Sequence, residues 1–173
     1  MRNIIIIIAI ILIGLGIHFY FQKSEPLQIK GSSNEARLAK ENGAKMPEFA
    51  LKSLNGDVVN AKEHLEGTGG YIHFWASWCA PCVVEFPKMI EYARQNPSAK
   101  ILAISSDFKQ VHITQFFDVN KEWGELPENI IVLRDENAKI TGQLFQTFKL
   151  PETIIISKDL KMVDKHSGMY EWE

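Results

Sequence analysis

Cys79 and Cys82 are the only cysteines of the chain, and they stand three apart in Trp75-Ala76-Ser77-Trp78-Cys79-Ala80-Pro81-Cys82. Thiols at that spacing on a helix start can approach within the roughly 4.4–6.8 Å between Cα atoms that a disulfide requires. The first thiol would sit among unpaired N–H groups at the positive end of the helix dipole, which favours thiolate. Cys82, one turn further in, would be the better shielded. This pattern describes a nucleophile and a resolver that exchange disulfides without a bound cofactor. Pro81 fits the first turn, where a missing N–H costs nothing. Other readings compete. A purely structural disulfide closing so short a loop gains little, on the order of 2 kcal/mol in the chain-entropy model. A zinc site needs two more ligands, and no second cysteine pair exists. Haem attachment needs histidine after the second cysteine, where Val83 stands. Two inert core cysteines stay open at this point.

The elements that would position this pair are legible in the flanking pattern. Tyr71 to Ala76 is a short, bulky, apolar run suited to a buried strand. From Ala80 to Gln95, Val83, Phe86, Met89, Ile90 and Ala93 recur at helical spacing. Before them, Phe49-Ala50-Leu51 and Val58-Val59 flank Asn55-Gly56, a hairpin signal, and Lys62 to Leu65 adds one helical turn. After them come a strand over Lys100 to Ser105 and a helix capped by Asp107, carrying Val111, Ile113, Phe116, Phe117 and Trp123. A third strand covers Ile130 to Leu133. The spacing of Ile140, Leu144 and Phe148 predicts a helix over Asn137 to Phe148. Thr153 to Ser157 and Met162 to Asp164 close the chain as a hairpin. Strands alternating with helices, flanked by hairpins, predict an α/β fold with a mixed sheet.

The amino-terminal stretch bears on compartment. Ile4 to Phe21 holds 15 apolar or aromatic residues in 18, and at about 1.5 Å per residue it spans roughly 27 Å, close to a bilayer core. Arg2 precedes it, which favours an N-in, C-out orientation. An uncleaved single-pass anchor is the preferred reading. Cleavage near Gly14-Leu15-Gly16 is the alternative and would yield a secreted soluble form. The domain plan is an anchor over 1–22, a polar linker over 23–45 and one globular domain over 46–173. With 19 Lys and Arg against 21 Asp and Glu, no basic footprint for nucleic acid exists.

The run Phe74-Trp75-Ala76-Ser77-Trp78-Cys79-Ala80-Pro81-Cys82, followed by Glu85-Phe86-Pro87, resembles the thioredoxin superfamily, specifically its membrane-anchored TlpA/ResA/DsbE-like branch. Pro47-Glu48-Phe49-Ala50-Leu51 with Asn55-Gly56 resembles that branch's amino-terminal hairpin. Leu150-Pro151-Glu152-Thr153 resembles its cis-proline segment. The similarity covers about Met46 to Gly168. It implies a thioredoxin fold with a hairpin extension, and thiol–disulfide exchange on the outer, periplasmic side of the bacterial cytoplasmic membrane. The implied partners are cysteine-containing proteins, apocytochrome c among them, and a membrane thiol donor of electrons; a monomer is expected.

The resemblance also assigns residues. Glu85, on position alone a solvated helix residue, matches a glutamate near the cysteine pair that tunes or relays its proton. Pro87 matches a helix-kinking proline. Pro151 is expected in the cis form, opposite the cysteines, with Leu150 offering backbone groups to a substrate strand; a trans turn proline is the bland alternative. Trp78 is either a substrate-facing platform or simple packing. His73 stands where thioredoxin has a buried aspartate; a neutral core residue is preferred over a second proton carrier. The chain reaches Glu173 where the family usually continues into a terminal helix. Rival functions are a dithiol oxidase or isomerase, a copper-handling protein using both thiols and a distant histidine such as His166, and a redox-inert binding module.

Overall fold

The computed structural model describes residues 43–173; the apolar segment and most of the linker lie outside the described residues. Strands β1 (Ala50–Ser53) and β2 (Val58–Asn60) form the expected hairpin. The connection is four residues long, and Gly56 adopts φ +92° within it. Asn60 then caps the short helix α1 (Ala61–Leu65), accepting from the N–H groups of Lys62 and Glu63.

The centre is β3 (Gly70–Trp75), α2 (Ala80–Gln95), β4 (Ile101–Ser105), α3 (Gln110–Val119) and β5 (Ile130–Arg134). The three strands run parallel, and β6 (Glu152–Ile156) and β7 (Met162–Ser167) add antiparallel on the β3 side. The sheet order is β2-β1-β5-β4-β3-β6-β7. Alternation along the strands divides the core. Ile72, Phe74, Leu102 and Ile104 join the layer containing Leu65 and Phe145. Trp75, Ile101 and Ala103 face α2 and α3, where Phe86, Met89, Ile90, Ile113 and Phe116 pack. His73 shares the α2 side with Trp75, because side chains two apart on a strand point the same way.

Three expectations change. Asp107 does not cap α3: that helix starts after Lys109 with no side-chain cap. Asp107 is drawn inward because three donors converge on its carboxylate, the Ser77 N–H and the hydroxyls of Ser77 and Ser105. α3 ends at Val119, so Trp123 lies instead in a 3-10 turn over Lys121–Trp123. The helix expected over Asn137 to Phe148 is a π-helical segment, Lys139–Leu144. Ala138 and Gln146 both take positive φ, which ends regular helix on either side. Asp135 accepts from the N–H groups of Lys139 and Thr141, while Phe148 is left 83% exposed.

Candidate active site

β3 delivers the chain to the carboxyl edge of the parallel strands, where Ala76 to Cys79 turn it into α2. Ser77 is held by the buried Asp107 carboxylate through its N–H at 2.8 Å and its hydroxyl at 2.6 Å. The Cys79 N–H reaches the Ala76 carbonyl at 3.1 Å. These bonds tie the loop to the ends of β3 and β4 and deliver Cys79 as the N-cap of α2.

Cys79 and Cys82 are joined as a disulfide with Cα atoms 5.2 Å apart. The Cys82 N–H donates to Cys79 Sγ at 3.3 Å. A thiolate there would keep that donor and gain the helix dipole, both of which lower its pKa. Cys79 is 6% exposed and Cys82 0%, so an incoming partner meets the first sulfur and not the second. Pro81 lies in the first turn of α2 and Pro87 inside it, where the latter's missing N–H withholds a helix bond.

Trp78 is 69% exposed, so most of its indole has no packing role. The Leu150–Pro151 bond is cis. Since Phe74 pairs with Glu152 across β3 and β6, Pro151 lies at the strand edge from which the cysteine loop departs. Leu150 packs against both layers of the core. The Pro151 carbonyl accepts from Gly168 N–H at 2.8 Å. Glu152 is buried, and it binds Lys165 Nζ at 3.0 Å, Ser167 Oγ at 2.6 Å and the Thr147 hydroxyl.

Glu85 is not on a solvated face. It is 1% exposed, one helical turn after Cys82 on the inward side of α2. Its Oε1 accepts from Trp172 Nε1–H at 2.8 Å and Tyr170 N–H at 3.1 Å, while Oε2 has no hydrogen-bond partner. Burial pushes its pKa above the ordinary carboxylate value, and the two donated bonds, then His166 and Lys88, pull the other way. His73 is fully buried, which lowers its pKa to about 3 and keeps the ring neutral. Its Nδ1 lies 3.0 Å from Thr153 Oγ1 and 3.8 Å from Glu85 Oε1; the second distance is too long for a hydrogen bond.

His166 engages the Met169 carbonyl through Nε2 at 2.9 Å. Among the described residues no group of three or more His, Cys, Asp or Glu is arranged to hold a metal ion. Sequence reasoning missed Asp107, Glu152 and Trp172 as parts of this architecture. Ser105-Ser106-Asp107 at a strand end was a usable signal for the first; nothing in the pattern distinguishes Trp172.

The redoxin family profile matches residues 41–171. The chain belongs to that family. A thiol-disulfide oxidoreductase ResA of Bacillus anthracis is 31% identical over 128 residues, covering 73% of this chain and 69% of the relative. A second ResA, from Bacillus thuringiensis subsp. konkukian (strain 97-27), is 26% identical over 170 residues, covering 96% and 86%. Among solved structures, a Chlorobium tepidum chain described as a thiol:disulfide interchange protein DsbE superposes with a TM-score of 0.65 at 27% identity, covering 76% of this chain and 88% of that one. This redoxin is therefore a thiol–disulfide oxidoreductase of the TlpA/ResA/DsbE-like branch of the thioredoxin superfamily.

Proposed function

We propose that this redoxin is a membrane-tethered reductase of protein disulfides, working outside the cytoplasmic membrane. The observation that carries the exchange chemistry is the asymmetry of the pair: Cys79 Sγ at the helix N-terminus with a backbone donor, Cys82 sealed behind it. In the reduced protein the Cys79 thiolate attacks a partner disulfide; a Cys79–partner bond forms and the partner's first sulfur leaves as thiolate. Cys82 then gives up its proton, attacks Cys79 Sγ and forms the intramolecular disulfide, releasing the partner's second thiolate. Two electrons pass from this protein to the partner. Glu85 is the group on α2 suited to take the Cys82 proton, since burial holds its carboxyl above the ordinary range, nearer the working pH of a general base. Leu150 and cis-Pro151 supply the backbone edge for the partner segment, and Trp78 an apolar platform beside it. The partner class includes apocytochrome c before haem attachment, with a membrane thiol protein as electron donor; both follow from the resemblance to the anchored branch, and tethering from the apolar run Ile4 to Phe21.

The direction is tested by equilibrating the Cys79–Cys82 couple against glutathione or dithiothreitol, with metal content determined on the same sample. A reductase requires a potential nearer about −270 mV, as in thioredoxin, than about −120 mV, as in DsbA. An oxidising value would turn the reading to a dithiol oxidase, and stoichiometric copper would replace it.

A further inference from the structure

The segment after β7 does more than end the fold. Met169 to Glu173 crosses the α2 side of the sheet and buries Trp172 against Tyr71, His73, Tyr92 and Tyr170, with ring centroids 5.3, 5.8, 5.5 and 5.0 Å away. A ring so enclosed has one polar atom, and that atom points at Glu85: Trp172 Nε1–H donates to Oε1 at 2.8 Å, beside the Tyr170 N–H at 3.1 Å. The carboxylate on the helix of the reactive cysteines thus receives both of its described donors from a strap more than eighty residues away in sequence. Its other oxygen, Oε2, is buried without a hydrogen-bond partner.

We propose that Trp172 is a positioning residue: by donating to Oε1 it fixes the rotamer of Glu85, leaves Oε2 as the proton-accepting oxygen, and sets the pH at which Cys82 can be deprotonated for attack. This rests on the proton-handling role of Glu85 proposed above. In the resolving step the Cys82 S–H proton passes to Glu85, the Cys82–Cys79 bond forms, and the partner sulfur leaves as thiolate. A donor to the ionised carboxylate favours the charged, proton-accepting form, whereas burial alone favours the neutral acid. The other charged or titratable groups bearing on Glu85 are His73 on β3, Lys88 on α2 and His166 on β7. His73 is neutral above about pH 3, so it supplies no positive charge near neutrality; Lys88 and His166 act in the same sense as Trp172. The hydroxyl of Tyr71 pairs with that of Tyr92 at 2.8 Å, and neither is drawn to the carboxylate.

The test uses the full chain with oxidised glutathione as the disulfide probe, following release of the second glutathione, the Cys82-dependent step, against pH. Trp172→Phe keeps a packed aromatic ring and removes the N–H. It should move the acid limb of that profile upward by roughly one pH unit, the scale of one lost hydrogen bond to a charged group. Trp172→Phe added to Glu85→Gln should produce no further movement. An unmoved profile in Trp172→Phe overturns the inference, as does an equal shift in both backgrounds, which would mark Trp172 as structural packing. If Glu85→Gln alone leaves the profile in place, the proton-handling role of Glu85 itself falls. If Glu85→Gln moves it and Trp172→Phe does not, only the assignment of Trp172 falls.

Discussion

At the scale of single residues, the proposed division of labour between two chemically identical thiols rests on their surroundings. Cys79 is an N-cap with a donor on its sulfur, and Cys82 is enclosed one turn deeper. Glu85 and His73 show the same principle with opposite outcomes, since burial raises the pKa of the acid and lowers that of the base, leaving each nearer its neutral form. Replacing Glu85 with Gln preserves shape and removes the charge. The resolving step should slow by roughly a hundred- to ten-thousandfold, the scale of a lost acid–base group, with His73→Asn as the comparison in stopped-flow exchange. A loss confined to His73→Asn would transfer the proton role to His73. Trp78→Ala should leave urea stability within about 0.5 kcal/mol, as for surface positions generally, while slowing reaction with protein disulfides more than with glutathione. Equal slowing with both substrates would contradict a platform role.

At the scale of elements, the site depends on how β3, β4 and α2 meet. The Asp107 network ties the cysteine loop to the end of β4. Asp107→Ala leaves the Ser77 N–H and two hydroxyls without their acceptor and should cost roughly 2–3 kcal/mol in urea denaturation; Asp107→Asn should recover part of it. Under the loop, Phe86 packs against Trp75 at 4.6 Å and Phe116 at 5.4 Å, so Phe86→Ala should cost about 3–5 kcal/mol. An undiminished denaturation midpoint in either variant would show that α2 is held by other contacts. These elements were legible to different degrees. α2 was readable to its last residue because five apolar positions kept a helical period and proline marked its first turn. The segment after β5 carried the same period in Ile140, Leu144 and Phe148, yet positive φ at Ala138 and Gln146 and the Asp135 bonds shaped it otherwise. Asp107 misled because an aspartate before an apolar periodic run reads as a cap, and two of the three donors that draw it inward come from Ser77, in a loop thirty residues earlier.

At the scale of the molecule, strand order and the course of the terminal segment were the least legible features, because both are set by non-local pairing. Nothing in the local pattern puts β1 beside β5, or Trp172 beside Glu85. The cysteine motif, the proline loop and the mixed sheet were legible because each has its own local signature. Stability of the disulfide form should depend on pH through the buried groups. The unfolded imidazole of His73 takes up a proton near 6.5 and the folded one only near 3, so the unfolded state binds more protons between those values and stability rises with pH across the window. Glu85 opposes this: its folded pKa lies above its ordinary 4.5, so its contribution falls as pH rises through that range. Urea midpoints from about pH 4 to about pH 7 should therefore climb less steeply in His73→Asn than in the parent; an unchanged slope would mean the ring is hydrated in the native state. In cells, the proposed tether predicts full-length chain in salt-washed membranes; a shortened soluble form would instead indicate cleavage. The most direct test of the exchange mechanism is the trapping of partners by single-cysteine variants. Cys82→Ser should accumulate a mixed disulfide through Cys79, resolved only by added thiol, and Cys79→Ser should trap little or nothing. Equal yields through Cys82 in the reciprocal variant would contradict the asymmetry on which the account rests.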